Sequence, residues 1–209
     1  MRSKIGIFCM LIGLTLISGA VFLFLSNDKE EKSAETHVQN LVPVLMEEVN
    51  QIRESSETVE ILPDTTPVAL LTPEDVAMKE TIIDGHAYIG YLEIPDLGLI
   101  LPVMSDWSYA KLKISPCRFS GSLRGEDLVI MAHNYSSHFG YLKTLTEGAQ
   151  IIFYDMNGVL WEYEVVALDI LPGDAVEEMI AGEYDLTLFT CATNRTHRIT
   201  IRCDKVESE

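Results

Sequence analysis

Cys191 ends the apolar run Leu186-Thr187-Leu188-Phe189-Thr190-Cys191, and the polar stretch Ala192-Thr193-Asn194-Arg195-Thr196 follows it at once. A thiol at such an edge is held by a rigid strand while it faces an opening. Nucleophilic acyl transfer needs a group placed this way, and needs it as the thiolate. A packing cysteine is the plainer reading, since free cysteines are among the most buried residues. The next run alternates Arg198, Thr200 and Arg202 with Ile199, Ile201 and Cys203. A period of two puts the arginines on one face and Cys203 on the other, toward a core. If the two runs pair as antiparallel neighbours, the Arg198 guanidinium lies beside the strand end that carries Cys191. A cation there lowers a thiol pKa and can hold an oxyanion on a substrate carbonyl. An exposed ion pair is the alternative role for this arginine.

Acyl transfer also needs a proton carrier, and there are five histidines to choose from. His133 follows Leu128-Val129-Ile130-Met131-Ala132 and opens the polar loop Asn134-Tyr135-Ser136-Ser137-His138-Phe139-Gly140. It has the same strand-end placement as Cys191, so it is the candidate acid/base. His138 lies within the loop, His197 adjoins Arg198, His86 sits at the domain's edge and His37 lies far upstream.

The elements that must position these groups are mostly strands. Residues 88–94, 99–103, 128–132, 150–154, 159–170, 186–190 and 198–203 are rich in β-branched, aromatic and aliphatic types. Asp155-Met156-Asn157-Gly158 joins two of them, and Asn-Gly tolerates the positive φ of a tight hairpin. Helical signals are short: 107–113, and 175–181 with Asp174 as N-cap and Gly182 as stop. Many short strands with few helices predict a mainly β domain, a single closed or nearly closed β-barrel, over 85–206, with 207–209 as a tail.

Upstream, residues 5–25 carry no charge. As a helix they span roughly 31 Å, about one hydrocarbon core. Arg2 and Lys4 in front predict a cytoplasmic N-terminus and an exported remainder, with 1–25 as tip and anchor. A cleaved signal peptide competes, because Ser18-Gly19-Ala20 offers small residues, although apolar residues run on to Leu25. Residues 26–84 hold 14 acids, 4 bases and four prolines. They read as an acidic spacer, with one amphipathic helix around 41–52. After Leu25 there are 32 acidic against 13 basic residues, a net charge of −19 that disfavours nucleic acid as a partner. Three external cysteines, Cys117, Cys191 and Cys203, cannot all pair within one chain, and no Cys/His spacing of the zinc type occurs.

Thr187-Leu188-Phe189-Thr190-Cys191 resembles the T-L-x-T-C signature of the sortases, the Gram-positive cell-surface transpeptidases. Ala132-His133-Asn134 is similar to the segment bearing that family's histidine, and Thr196-His197-Arg198 to the one bearing its arginine. The order of anchor, spacer and β domain agrees as well. The resemblance implies a barrel of about eight strands, with catalytic His133, Cys191 and Arg198 and a substrate contact at Thr190. It implies cleavage of an LPxTG-like sorting signal through a thioester and transfer to an amine of a cell-wall peptide or pilin lysine. Neither metal nor organic cofactor is required. The interval from Cys191 to Arg198 is short for the family, which implies a trimmed loop, and 26–84 lacks the aspartate-aromatic lid motif of the pilus-building class. Papain-like flanking of the cysteine is absent, so a secreted peptidase transferring to water is the weaker reading, as is a tethered binding module. Finally, Leu62, Pro63, Asp64 and Thr65 read L-P-x-T and are followed by Thr66 rather than Gly. This run is a candidate pseudo-substrate lid or a chance match in a Pro-rich linker.

Overall fold

A computed structural model of the chain describes residues 2–57, 78–192 and 196–206. Arg2–Glu57 forms one helix, α1. The spacer therefore continues the apolar helix to Glu57 where a short segment near 41–52 was expected. The reason lies in its composition: no glycine occurs from Ala20 to Asp84, and i,i+4 pairs line the exposed face. Lys32 donates to Asp28 at 2.7 Å, Gln39 to Glu35 at 3.3 Å and Gln51 to Glu47 at 2.8 Å. Pro43 forfeits a bond to the carbonyl of Gln39, but both residues are exposed, so water can satisfy that oxygen. The apolar N-terminal part, with a mean hydropathy of 1.9, buries nothing against the protein and is long enough to cross a membrane.

Nine strands follow among the described residues: β1 (Thr81–Ile83), β2 (His86–Ile94), β3 (Leu99–Met104), β4 (Cys117–Ser120), β5 (Leu128–Met131), β6 (Gln150–Asp155), β7 (Leu160–Pro172), β8 (Leu186–Cys191) and β9 (His197–Lys205). Eight of them close in the order β2-β3-β4-β5-β8-β9-β7-β6 and back to β2, with β1 hung outside on β2. The β-barrel expected from the strand pattern is thus present. Closure needs Gly90 in particular. Its φ is +147°, and a Cβ there would lie 2.0 Å from the carbonyl oxygen of Tyr154 on β6. At the β6–β7 turn Gly158 has φ +79°, and Asp155 accepts from the amides of Asn157 and Val159, each at 2.9 Å.

Two short helices complete the domain, α2 (Tyr109–Leu112) and α3 (Val176–Met179). Ser108 caps α2 by accepting from the Lys111 amide at 3.1 Å. Both helices are shorter than the sequence suggested, and Asp174 does not cap α3, whose N-cap is Ala175. β1 and β4 went unread because three or four residues are too few to show a period.

The barrel interior is filled by Leu92, Leu101, Ile130, Phe153, Tyr163, Leu188, Ile201 and their neighbours, with Cys203 among them. A second cluster lies between the barrel and α1. Ala34, Val38, Leu41, Leu45 and Val49 recur at steps of three and four residues and are all buried. Leu41, Leu45 and Val49 pack with Tyr88, Tyr91, Met104, Leu112 and Met156. This apolar stripe lays α1 along the outside of the barrel.

Candidate active site

Strand register brings the three expected groups to one rim. β5 and β8 are parallel, and their last matched pair is Met131 with Phe189. Beyond it the Ala132 amide donates to Phe189 O at 3.2 Å, and the Thr190 hydroxyl donates to Ala132 O at 2.8 Å. These bonds extend the pairing by one residue, so that His133 and Cys191 emerge side by side. On the other flank β8 and β9 run antiparallel, with Cys191 directly opposite Arg198. A rigid sheet therefore presents thiol, imidazole and guanidinium from three adjacent strand ends, which is the preorganisation acyl transfer requires.

Two cavities meet at this rim. One, of about 310 Å³, touches His133, Cys191 and Arg198 and is otherwise mostly apolar. Its aromatic wall is continuous: Trp107 lies 5.7 Å from Phe119, and Phe119 meets Phe189 edge-on at 5.3 Å. Such a groove suits an extended peptide with apolar side chains. The second cavity, of about 520 Å³, also reaches His133 and Cys191 but is polar, lined by Asn27, Glu30, Glu31, Lys113, Asn134 and Tyr135. The Tyr135 ring stacks on the His133 imidazole at 4.8 Å.

The remaining candidates divide cleanly. His138 is fully buried, and burial, followed by the nearby His133, pushes its pKa down to about 4. It is a neutral core residue and lines neither of these two cavities. His197 is tied to its neighbour, with Nδ1 2.8 Å from the Thr196 hydroxyl. Cys117 and Cys203 are free but buried, and burial raises both thiols, Cys117 to about 12. Cys191 alone among the three cysteines of the barrel is partly exposed.

The two arginines of β9 also separate. Arg202 is buried and fully engaged, donating to Asp169 at 3.2 Å, the Thr187 hydroxyl at 3.0 Å and the carbonyls of Met179 and Glu178 at 3.2 and 2.8 Å. It ties α3 to the barrel. Arg198 lines the groove, with Nη1 3.2 Å from His197 O. That nitrogen would lie 3.3 Å from a Cβ at Gly173, so the glycine keeps room for it. Thr190 is buried and spends its hydroxyl on Ala132 O, so it reaches the groove only as part of the wall. The segment Leu62-Pro63-Asp64-Thr65 lies outside the described residues.

Sequence reasoning missed the walls of both cavities. For Glu30 and Glu31 a signal existed: stepping back three and four residues from Ala34 along the buried stripe of α1 lands on them. For Lys113, Tyr135 and the aromatic wall there was none, because their proximity depends on loop paths.

Comparison with known proteins agrees with this geometry. No curated protein matches the sequence. Among solved structures, sortase C1 from Streptococcus suis is similar at 25% identity and a TM-score of 0.51, over 59% of this chain and 75% of that one. Sortase C1 from Streptococcus agalactiae aligns at 21% identity and a TM-score of 0.55, over 84% of this chain and 95% of that one. Clostridium perfringens sortase C with the C-terminal cell wall sorting motif gives 21% identity and 0.54, over 81% and 91%. The last two likenesses speak to the fold alone. A family model, the sortase domain, matches residues 92–206, more than half of the chain and the barrel from within β2 through β9. On that match the chain belongs to the sortase family and is a cysteine transpeptidase.

Proposed function

We propose that this transpeptidase is held in the cell membrane by the apolar part of α1, N-terminus inward, and joins sorting-signal proteins to an amine on the outer surface. In this reading an LPxTG-like segment of a surface protein lies in the aromatic groove. The Cys191 thiolate adds to the threonine carbonyl, and the oxyanion that forms is held by the Arg198 guanidinium. When the carbon–nitrogen bond to the next residue breaks, His133 as imidazolium gives its proton to the departing amine. A thioester on Cys191 remains. An incoming amine then loses its proton to His133 as its nitrogen bonds to the thioester carbon, and the carbon–sulfur bond breaks. The acceptor is a cell-wall precursor peptide or a pilin lysine.

The observation that carries this proposal is the register pair of Cys191 with Arg198 beside His133, at a rim where an apolar groove ends. The fold likeness to a sortase C structure that contains a sorting motif supports a peptide substrate of that kind. Mass spectrometry of the full chain incubated with sorting-signal peptides should show an acyl adduct on Cys191 that a primary amine discharges as the transfer product. The Cys191→Ala variant should give neither adduct nor product while melting like the parent. Turnover by that variant would remove the proposal.

A further inference from the structure

The polar cavity owes one wall to the helix that leaves the membrane span. The stripe that docks α1 does not stop at Ala34; three and four residues earlier it carries Glu31 and Glu30. These are not bystanders to the loops at the rim. The Glu31 carboxylate accepts from the Ser136 amide at 2.8 Å and from the Ser136 hydroxyl in a second, short contact. Glu30 accepts from Lys113, just beyond α2, at 2.8 Å. That ion pair, chiefly, holds the Glu30 carboxyl below its ordinary range, and the charge of His133 adds to the effect.

Ser136 stands three residues after His133, on a loop that lacks strand pairing beyond Ala132. Within the loop three backbone bonds close on two carbonyls: His138 N and Gly140 N to Tyr135 O at 3.0 and 2.9 Å, and Phe139 N to His133 O at 3.1 Å. Between these points Asn134, Tyr135 and Ser136 cross the edge of the cavity, and Tyr135 stacks on the imidazole. A carboxylate that takes two donors from one residue fixes that residue in position and orientation, and charge-assisted bonds are the stronger kind. The partner, Glu31, is itself fixed, because α1 is anchored on the barrel by Ala34, Val38, Leu41, Leu45 and Val49.

We propose that Glu31 is a positioning residue for the transpeptidase: by holding both donors of Ser136 it sets the loop on which His133 and Tyr135 sit, which makes the juxtamembrane turn of α1 a working part of the catalytic site. This inference rests on His133 being the acid/base of the proposed reaction. Glu31 acts at one remove from the chemistry: its effect passes through Ser136 and Tyr135 to the imidazole. Misplacement of a proton carrier by a fraction of an ångström slows the chemical step and leaves peptide binding in the opposite groove nearly untouched.

The test uses the full chain in detergent micelles or nanodiscs, with a sorting-signal peptide and an amine. Glu31→Ala should lower kcat by about tenfold and change the peptide KM by less than about twofold. Glu31→Gln keeps an oxygen that can accept from the Ser136 amide and should restore most of the rate. Ser136→Ala keeps the amide and loses one donor, so its loss should be intermediate. It also serves as the second probe if Glu31→Ala folds poorly. A parental kcat in Glu31→Ala, a loss that Glu31→Gln does not restore, or a KM that rises in step with the fall in kcat would overturn the proposal. Cys191→Ala and His133→Ala run alongside keep the two readings apart. If both are inactive while Glu31→Ala is unaffected, only the positioning role fails; if they turn over, the assignment of the chemistry fails first.

Discussion

On the Arg198 side of Cys191 the wall is built of Trp107, Phe119, Met131, Val176 and Phe189; on the other side it is built of Asn27, Glu30, Glu31, Lys113 and Asn134. The first wall belongs entirely to the barrel and its two short helices. The second is assembled across two parts of the chain, the loops after α2 and β5 and a helix more than 80 residues earlier in sequence. The apolar side can therefore recognise a peptide by shape and area, which is insensitive to salt. On the polar side, order depends on carboxylate contacts of two kinds: an exposed ion pair of Glu30 with Lys113, which salt screens, and directed hydrogen bonds from Ser136 to Glu31. The thiol stands where an apolar surface meets a polar one.

A charge that meets substrate should behave differently from a charge that only holds the fold, and Arg198 and Arg202 allow this to be tested on a single face of β9. Arg198→Lys keeps the charge and loses the planar fork of donors. We expect kcat to fall by about 10²-fold, the usual scale for one oxyanion donor, with an unchanged melting temperature. Arg202→Lys should show the converse. Bonds to Asp169, Thr187 and two carbonyls are disrupted, so the melting temperature should drop while the surviving folded enzyme keeps most of its kcat. If Arg202→Lys alone kills turnover at full stability, the oxyanion role has been given to the wrong arginine.

The placement of the candidate groups was more legible in the sequence than that of their surroundings, and the reason is geometric. Cys191, His133 and Arg198 each sit at the junction of an apolar run and a polar loop, a pattern visible over six or seven residues. Alternation alone placed Arg198 opposite the thiol once antiparallel pairing was assumed, and β8 and β9 pair that way. The barrel followed from strand count and scarce helix, although β1 and β4 were too short to read. The acidic composition of 26–84 suggested a spacer, and the docking stripe within it is narrow: Ala34, Val38, Leu41, Leu45 and Val49 are buried, whereas Glu35, Thr36, Gln39, Asn40 and Glu47 between them are exposed. The pairing of His133 with Tyr135, and the engagement of Ser136 by Glu31, rest on a loop path that no local period encodes.

A further contrast between the sides concerns His138, whose neutral imidazole is sealed behind Tyr135. The unfolded chain takes up a proton on this residue near pH 6.5, whereas the folded chain resists it down to about 4. Protonation therefore favours unfolding, and stability from this residue is intact above pH 6.5 and lost progressively below it. The full effect at acid pH is at most about 3 kcal/mol. His138→Leu removes the titration, so its melting temperature should fall less than the parent's between pH 6.5 and 5, before most carboxylates titrate. Parallel melting curves over that window would show that His138 is not held neutral in the fold.

The smallest expected effect lies at the other contact of this turn of α1. The Glu30–Lys113 pair is close, at 2.8 Å, yet both side chains remain largely open to water, at 41% and 49% exposure. Exposed pairs gain little, because solvent screens the attraction and ordering two long side chains costs entropy. Lys113 also lies outside the loop that bears His133, so its loss leaves the two bonds from Ser136 to Glu31 in place. Lys113→Ala should therefore alter kcat by less than about twofold, shift the melting temperature only slightly, and lose even that shift in 1 M salt, where the Debye length is about 3 Å. Glu31→Ala, by contrast, should show its kcat deficit at any salt concentration, since the contact it removes is a directed pair of hydrogen bonds. Measuring both variants at low and high salt sets the general docking of α1 against the specific hold on Ser136. Equal kcat losses in the two variants, both erased by salt, would mean that charge attraction along the helix, and not the Ser136 bonds, orders the wet side of the site.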